Sequence, residues 1–265
     1  DGRDLDVSIP RRESKSGKGH RGFTVSGDPS MPVTEAARRR DFTMNALAAD
    51  PLTGEIIDPF GGIGDLRTGQ LRVTDPERFQ DDPLRVYRAV QFVARMGLEI
   101  EPRSQALMRE MVERGDLEEL AEERIAEEWK KLLLKAPRPS LGLEALRDLG
   151  IIERSYPELQ ALIGVPQEPE WHPEGDVWIH TLMVLDAAAQ IVRRADWEGS
   201  PEETLSVLVG ALCHDLGKTA TTRFEEGRWR SRGHEEAGVK PAKRFLERVR
   251  FSKTIETCAS ASAAE

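Results

Sequence analysis

The sequence predicts an α+β fold in which short strands, turns and one helix fill the first 57 residues and helices the remainder. Three observations carry that expectation. Residues 5–9, Leu-Asp-Val-Ser-Ile, alternate apolar and polar side chains with the period of two that a half-buried strand requires. From Pro83 onward apolar residues recur at helical spacing, punctuated at Gly97, Gly115, Pro137 and Gly150. After the Pro-rich stretch Gly164-Val-Pro-Gln-Glu-Pro-Glu170 histidine usage changes, four of the five histidines lying between residues 172 and 234.

In order along the chain, the 5–9 strand ends at Pro10, which has no N–H for a ladder, and it sets Asp6 and Ser8 on one face. Residues 13–32 are rich in Gly, Ser, Lys and Pro and predict a loop with a short strand near 22–25. The pattern of 35–49 is helical, and Asp50 to Asp58 reads as a hairpin-like return. Glycines at 61, 62 and 64 predict a bend between two modules. Helices are expected over 83–96, 103–114, 122–135, 139–149 and 155–163, and further ones around Trp178–Leu182 and 205–218. The expected units are a strand-bearing head at 1–57, a helical body at 58–165, a histidine-bearing helical unit at 166–257 and a low-complexity, disordered tail at 258–265.

A net charge of −9 over 265 residues excludes a uniformly basic nucleic-acid binder. It leaves room for a local strip made by the arginines at 38–40, 85, 88 and 95, whereas the glutamates of 110–128 read as a solvated helix face. Two cysteines are too few for a disulfide framework, which points to a reducing cytoplasm. No apolar run approaches the ~20 residues that cross a bilayer, so no membrane partner is expected. The chain opens Asp-Gly-Arg, without a methionine or a signal-peptide pattern, and is expected to be a fragment of a longer protein.

Residues 81–88, Asp-Asp-Pro-Leu-Arg-Val-Tyr-Arg, carry the most chemical information. At 100° per residue, Asp82, Arg85 and Arg88 fall within about 120° of one helix face, leaving Val86, Val90 and Val93 for the core. A carboxylate accepts from an exocyclic amine and a guanidinium donates to ring nitrogens or carbonyl oxygens, so such a stripe matches a base edge. The same spacing also suits an ordinary i, i+3 salt bridge. Upstream stand Arg38-Arg-Arg-Asp-Phe-Thr-Met-Asn-Ala-Leu47 and Asp58-Pro-Phe-Gly-Gly-Ile-Gly-Asp-Leu66, and downstream Glu123-Arg-Ile-Ala-Glu-Glu128.

This ordered series resembles the bacterial tRNA nucleotidyltransferases, the enzymes that add CCA to tRNA 3′ ends. The resemblance implies that the 1–57 head is part of a nucleotidyltransferase β-sheet, followed by an all-α neck and body. It implies that Arg40, Asp41 and Asn45 handle the ribose and triphosphate of the incoming CTP or ATP. Asp82 and Arg85 would pair with cytosine or adenine as a protein template, with Arg88 orienting them or meeting phosphate, and Arg124 and Glu128 bracing that helix. Asp81 stands where the family's motif usually carries Glu. Two Mg2+ ions are implied for nucleotidyl transfer; the family's Asp-x-Asp pair normally lies upstream of residue 1, and Asp6 is assigned as the third carboxylate. The tRNA 3′ end is the implied partner. A bacterial poly(A) polymerase shares the head and neck motifs, although the acidic balance and the histidine-bearing unit favour the tRNA enzyme.

Residues 205–218, Leu-Ser-Val-Leu-Val-Gly-Ala-Leu-Cys-His-Asp-Leu-Gly-Lys, deliver an adjacent His214 and Asp215 from an apolar helix, and His180 lies in another. Adjacent His and Asp can ligate a divalent ion. The set resembles the HD phosphohydrolase superfamily, which implies Mg, Mn, Ni or Co on His180, His214 and Asp215 and hydrolysis of phosphate ends such as 2′,3′-cyclic phosphates. His234 would add a ligand or phosphate contact, Lys218 would meet an anion or cap a helix, and His172 has the weakest claim. The family's distal aspartate is expected near residue 257, where this chain has Thr257. An HD phosphohydrolase alone, or an inactive RNA-binding remnant, are the readings from other classes.

Overall fold

The computed structural model describes residues 10–15 and 23–251. Asp6, the 5–9 strand and the 258–265 tail lie outside those residues. Strand β1 (Arg11–Lys15) pairs antiparallel with β2 (Phe23–Gly27). The expected loop from residue 13 therefore begins later, because the chain forms a strand after Pro10, whose carbonyl accepts from Asp28 N–H at 2.7 Å.

Helix α1 (Val33–Arg38) is much shorter than the expected 35–49 helix. A 3-10 turn at Thr43–Ala46 follows, then β3 (Ala48–Ala49), which pairs antiparallel with β4 (Ile56–Ile57) as the hairpin-like return predicts. The helix stops because Asp41 Oδ1 takes the Phe42 N–H at 2.9 Å, a local bond that competes with helix continuation, while Phe42 bridges to Val73. Instead of a simple bend, the Gly61–Gly64 stretch starts helix α2 (Gly62–Arg67). Asp58 caps it by accepting from Gly62 N–H at 2.7 Å and Ile63 N–H at 3.0 Å, bonds that hold its carboxyl below the usual range, the Ile63 bond first. Gly62 is required by packing, since a Cβ there would collide with the Thr43 carbonyl.

Strand β5 (Gln70–Leu71) and helix α3 (Pro76–Phe79) lead to α4 (Leu84–Met96), which ends at the left-handed Gly97. β6 (Glu99–Ile100) pairs parallel with β5, and then come α5 (Pro102–Arg114), α6 (Glu122–Lys135) and α7 (Pro139–Asp148). The expected 155–163 helix is two short ones, α8 (Ile151–Ser155) and α9 (Pro157–Gln160), divided at Tyr156 because Pro157 disfavours helical geometry in the residue before it. After an irregular 161–176 segment come α10 (Val177–Ile191) and α11 (Pro201–Cys213), the latter opened by a Ser200/Glu203 capping box. The 205–218 helix thus ends at Cys213 and resumes as α12 (Lys218–Thr221). A hairpin of β7 (Arg223–Glu225) and β8 (Arg228–Arg230) precedes α13 (His234–Val249).

The sheets are all two-stranded among the described residues, so the load falls on helix packing. α4 packs on α6 and α7, α10 on α7 and α11, and α6 reaches α11 and α13. One apolar core runs from Phe42 to Phe251 through all of these helices. Within it, Trp129, Tyr156 and Phe245 meet edge to face, with centroids 5.1 to 6.0 Å apart, joining α6 to α13. Trp129 Nε1–H donates to the Tyr156 hydroxyl at 2.7 Å, and the Tyr87 hydroxyl lies 3.1 Å from it. Burial raises both phenol pKa values, so this polar knot stays protonated. No helix among the described residues is long and apolar enough to cross a membrane.

Candidate functional site

Helix α4 buries Val86, Val90 and Val93, as 100° per residue predicts, and leaves Arg85 and Arg88 partly exposed; Asp82, also partly exposed, stands just ahead of its first turn and not on the helix. Asp82 and Arg85 do not pair with each other. Asp82 receives Arg124 Nη2–H of α6 at 2.9 and 3.2 Å on its two oxygens and also takes the Leu84 N–H at 3.3 Å. Arg85 donates to the carbonyls of Arg78 at 2.6 Å and Arg39 at 2.8 Å. An i, i+3 bridge is therefore not what this spacing makes; each side chain is steadied by another element. Glu128, by contrast, pairs only with Lys131, at 2.8 Å, and leaves its Oε2 buried without a partner.

Arg88 reaches across to Asp41, with Nε and Nη2 donating to one carboxylate oxygen at 2.7 and 2.6 Å. Asp41 is 6 % exposed, and its other oxygen accepts from Asn45 Nδ2–H at 2.9 Å as well as from the Phe42 N–H. The helical spacing expected of Arg40, Asp41 and Asn45 is replaced by a tight turn, and only Asp41 and Asn45 meet. Arg40 is exposed, and Arg88 takes the place beside the carboxylate. Next to this turn, Asp65 accepts from the Thr43 hydroxyl at 2.7 Å and from Arg72 at 2.9 to 3.1 Å. A chain of charge-assisted bonds so links the turn, α2 and α4, a rigid support for whatever the exposed faces of Arg40, Asp82 and Arg85 meet.

The second cluster gathers around Asp215, 1 % exposed, in the turn after α11. His214 Nε2 lies 3.2 Å and His180 Nε2 3.7 Å from Asp215 Oδ2, and His234 Nε2 lies 3.5 Å from Oδ1. Each imidazole is anchored through its other nitrogen: His180 Nδ1 to Glu174 at 2.7 Å, His214 Nδ1 to the Ala211 carbonyl and His234 Nδ1 to the Ser231 carbonyl, both at 2.8 Å. An acceptor on Nδ1 fixes the proton there and leaves a lone pair on Nε2. The Nε2 atoms of all three rings face Asp215, and ligand atoms of His180, His214 and Asp215 all fall within 4.8 Å of one another. The residues present therefore fit a divalent ion.

Burial raises the Asp215 pKa, but the charged and hydrogen-bonding groups beside it, the Lys218 ammonium among them, outweigh it and hold the carboxyl well below its ordinary range. Lys218 Nζ stands 2.8 Å from Asp215 Oδ2 and donates to Gln167 Oε1 at 2.8 Å. For His180, desolvation lowers the pKa, with Glu174 opposing it, which favours the neutral imidazole a metal needs. Gly217 permits the cluster: a Cβ there would strike the His234 carbonyl, so only glycine lets α13 approach this closely.

Sequence reasoning missed Glu174, which bonds His172 at 3.0 Å as well as His180, and Gln167. The spacing His172-x-Glu174, just ahead of the Asp176 cap of α10, was the available signal for Glu174. His172 does join the cluster, its ring edge-to-face with His180 at 4.7 Å.

A carboxylate and guanidinium face at the head of one helix, and a histidine and aspartate centre in the same core, define a nucleotidyltransferase head and neck with an HD domain. Residues 3–72 match the family described as poly A polymerase head domain, residues 97–163 the probable RNA and SrmB-binding site of polymerase A, and residues 177–263 the HD domain. The multifunctional CCA protein of Xanthomonas campestris pv. campestris (strain B100) is 43% identical over 249 residues, covering 92% of this chain and 57% of that protein. That of Stenotrophomonas maltophilia (strain K279a) is 41% identical over 260 residues, covering 97% and 61%. A solved CCA-adding enzyme in complex with ATP shares the fold, with a TM-score of 0.55 at 21% identity over 94% of this chain and 54% of that one. The chain belongs to the family of bacterial CCA-adding enzymes. It spans about three fifths of the length of the curated relatives it matches. Nucleotidyltransferase and HD families generally use divalent metals.

Proposed function

We propose that the protein to which this chain belongs adds C and A nucleotides from CTP and ATP to the 3′ end of tRNA in the cytoplasm, with no nucleic-acid template. The observation that carries this reading is the placement of Asp82 just ahead of α4 and of Arg85 in its first turn, both partly exposed and each steadied by another element. A carboxylate there accepts from the amine of cytosine or adenine and the guanidinium donates to a ring acceptor, while uracil, without that amine, leaves the carboxylate unsatisfied. Arg40 and Asn45 contact triphosphate and ribose, and Asp41 works through Arg88 and Asn45 by holding both in place. Asp6 and further carboxylates would hold Mg2+, which would supply Lewis-acid activation of the terminal hydroxyl and charge for the pyrophosphate.

At the second centre His180, His214 and Asp215, joined by His234, hold a divalent ion, Mg, Mn, Ni or Co, which supplies Lewis-acid polarisation of a phosphate ester such as a 2′,3′-cyclic phosphate. Glu174 fixes the His180 tautomer, and Lys218 offers a cation to the phosphate. Residues 1–57, 58–165 and 166–257 serve as head, neck and body, and HD units.

The test is incorporation of labelled CTP, ATP, UTP and GTP onto tRNA lacking CCA, using the protein that contains this chain. Arg85→Ala is expected to lose selectivity among nucleotides while tRNA binding persists. CTP and ATP incorporation unchanged in rate and selectivity would overturn the template reading.

A further inference from the structure

A pocket of about 250 Å³ adjoins the histidine–aspartate centre, and its wall carries two tryptophans, Trp171 and Trp229. Neither ring is needed by the core. Trp171 is 69% exposed, and Trp229 meets Phe224, itself 61% exposed, edge to face with centroids 5.1 Å apart. Large apolar rings left in water beside a polar floor mark a surface that gains by being covered. The remainder of the lining includes His172, His234 and Lys218, the groups that surround Glu174 and Asp215. One end of the pocket is thus cationic or hydrogen-bonding, and the other is aromatic.

The two tryptophans come from segments far apart in sequence, the 161–176 connection and the β7–β8 hairpin. Glu168 locks these together, its Oε2 accepting the Trp229 N–H at 3.0 Å. The hairpin is sharply turned, with Glu226 and Gly227 both at positive φ, which holds Trp229 at a defined place on the edge. A volume of 250 Å³ falls below the ~300 Å³ at which drug-sized sites begin, so it suits a single nucleotide unit and not a longer oligonucleotide.

We infer that Trp171 and Trp229 form a base-stacking subsite that holds the nucleobase of a terminal nucleotide while its phosphate meets His172 and Lys218. This rests on reading the His/Asp cluster as a phosphate-handling centre and adds the chemistry that recognises the substrate. Stacking uses the π-face that every base has, so the subsite takes purines and pyrimidines alike and rejects phosphates without a ring.

The experiment titrates the metal-free protein with AMP, CMP and ribose 5-phosphate, following tryptophan fluorescence and, independently, calorimetry. AMP and CMP are expected to bind roughly five- to a hundredfold tighter than ribose 5-phosphate, the range that base–aromatic stacking supplies. Trp171→Ala should remove most of that ratio with no change in thermal unfolding, because the ring is mainly in solvent; Trp229→Ala should do the same, and Trp229→Phe should retain it. Equal affinity for AMP and ribose 5-phosphate in the unaltered protein, or an unchanged ratio in Trp171→Ala combined with Trp229→Ala, overturns the inference. Hydrolysis of β-glycerophosphate with Mg, Mn, Ni or Co, a substrate with nothing to stack, reports the phosphohydrolase reading separately. Its absence alongside a preserved AMP preference sinks that reading and supports the stacking subsite.

Discussion

Removing the Asp41 carboxylate should loosen the tie between the turn and α4, and the structure sets the amount. Asp41 is 6 % exposed and accepts four N–H groups: Phe42 N and Asn45 Nδ2 at 2.9 Å, and Arg88 Nε and Nη2 at 2.7 and 2.6 Å. Breaking a fully buried ion pair from one side costs about 3–5 kcal/mol, chiefly because the surviving charge is stranded. Here the Arg88 side chain is 34% exposed and can turn to water, so the expected loss for Asp41→Ala is about 2–3 kcal/mol. At roughly 2–4 °C per kcal/mol for a chain of this size, the melting point should fall by about 4–12 °C. Urea unfolding of Asp41→Ala, Arg88→Ala and the double variant closes a cycle in which the coupling should exceed about 1 kcal/mol. Additivity within ~0.5 kcal/mol would refute the claim that this pair ties the turn to α4.

Three further outcomes follow from other parts of the core. Gly217→Ala should destabilise by about 1–3 kcal/mol, because a Cβ must push the His234 carbonyl away, and should weaken Mn2+ or Ni2+ binding measured calorimetrically; unaltered metal affinity would contradict the geometry. Tyr156→Phe strands the Trp129 N–H and the Tyr87 hydroxyl in the core and should lower the unfolding free energy by about 2 kcal/mol, with a loss under ~0.5 kcal/mol showing that water replaces the bonds. Glu174 has its carboxyl pulled from 4.5 to about 2, by its own backbone N–H first and then by His172, so its contribution is complete above about 4.5 and disappears as pH falls towards 2. The stability gap between the native protein and Glu174→Gln should therefore narrow across that window, and a gap constant with pH would argue against it.

Where local chemistry decides the structure, the sequence was legible. Helix α4 was expected at 83–96 and runs Leu84–Met96, since Pro83 opens it and Gly97 closes it in the left-handed region. The helices from Pro102 to Asp148 follow the same logic of Pro and Gly punctuation. The 35–49 segment was misread because its helical pattern is broken by partners remote in sequence: Arg72, whose carbonyl accepts the Thr43 N–H at 3.0 Å, and Arg88, which captures Asp41. Local periodicity carries no trace of either. The β7–β8 hairpin had a weak signal in Glu226-Gly227, lacking the Asn-Gly or Asp-Gly pair that marks such turns most clearly. At the histidine–aspartate cluster, His180, His214 and Asp215 were readable as types in a known pattern and the structure brings them together. Glu174 was not, because a carboxylate that orients a histidine resembles any surface acid until the fold sets it 2.7 Å away.

The contacts already made by Asp82 and Arg85 bear on what a base-reading pair at that position can do. On the proposed reading, a base that takes the place of Arg124 on Asp82 and of the backbone carbonyls on Arg85 replaces like bonds with like, and little binding energy remains. The Asp82–Arg124 pair, about 30% exposed on each side, is worth only about 0.2–1 kcal/mol, so its displacement is inexpensive. A base with the wrong donor and acceptor order, however, removes those contacts and restores none, a penalty of about 1–3 kcal/mol per bidentate mismatch. Such a pair contributes selectivity and almost no affinity. On the proposed reading the affinity comes instead from the triphosphate, through cations that make no competing bond inside the protein, and Arg40, exposed beside the Asp41 turn, is placed for that role.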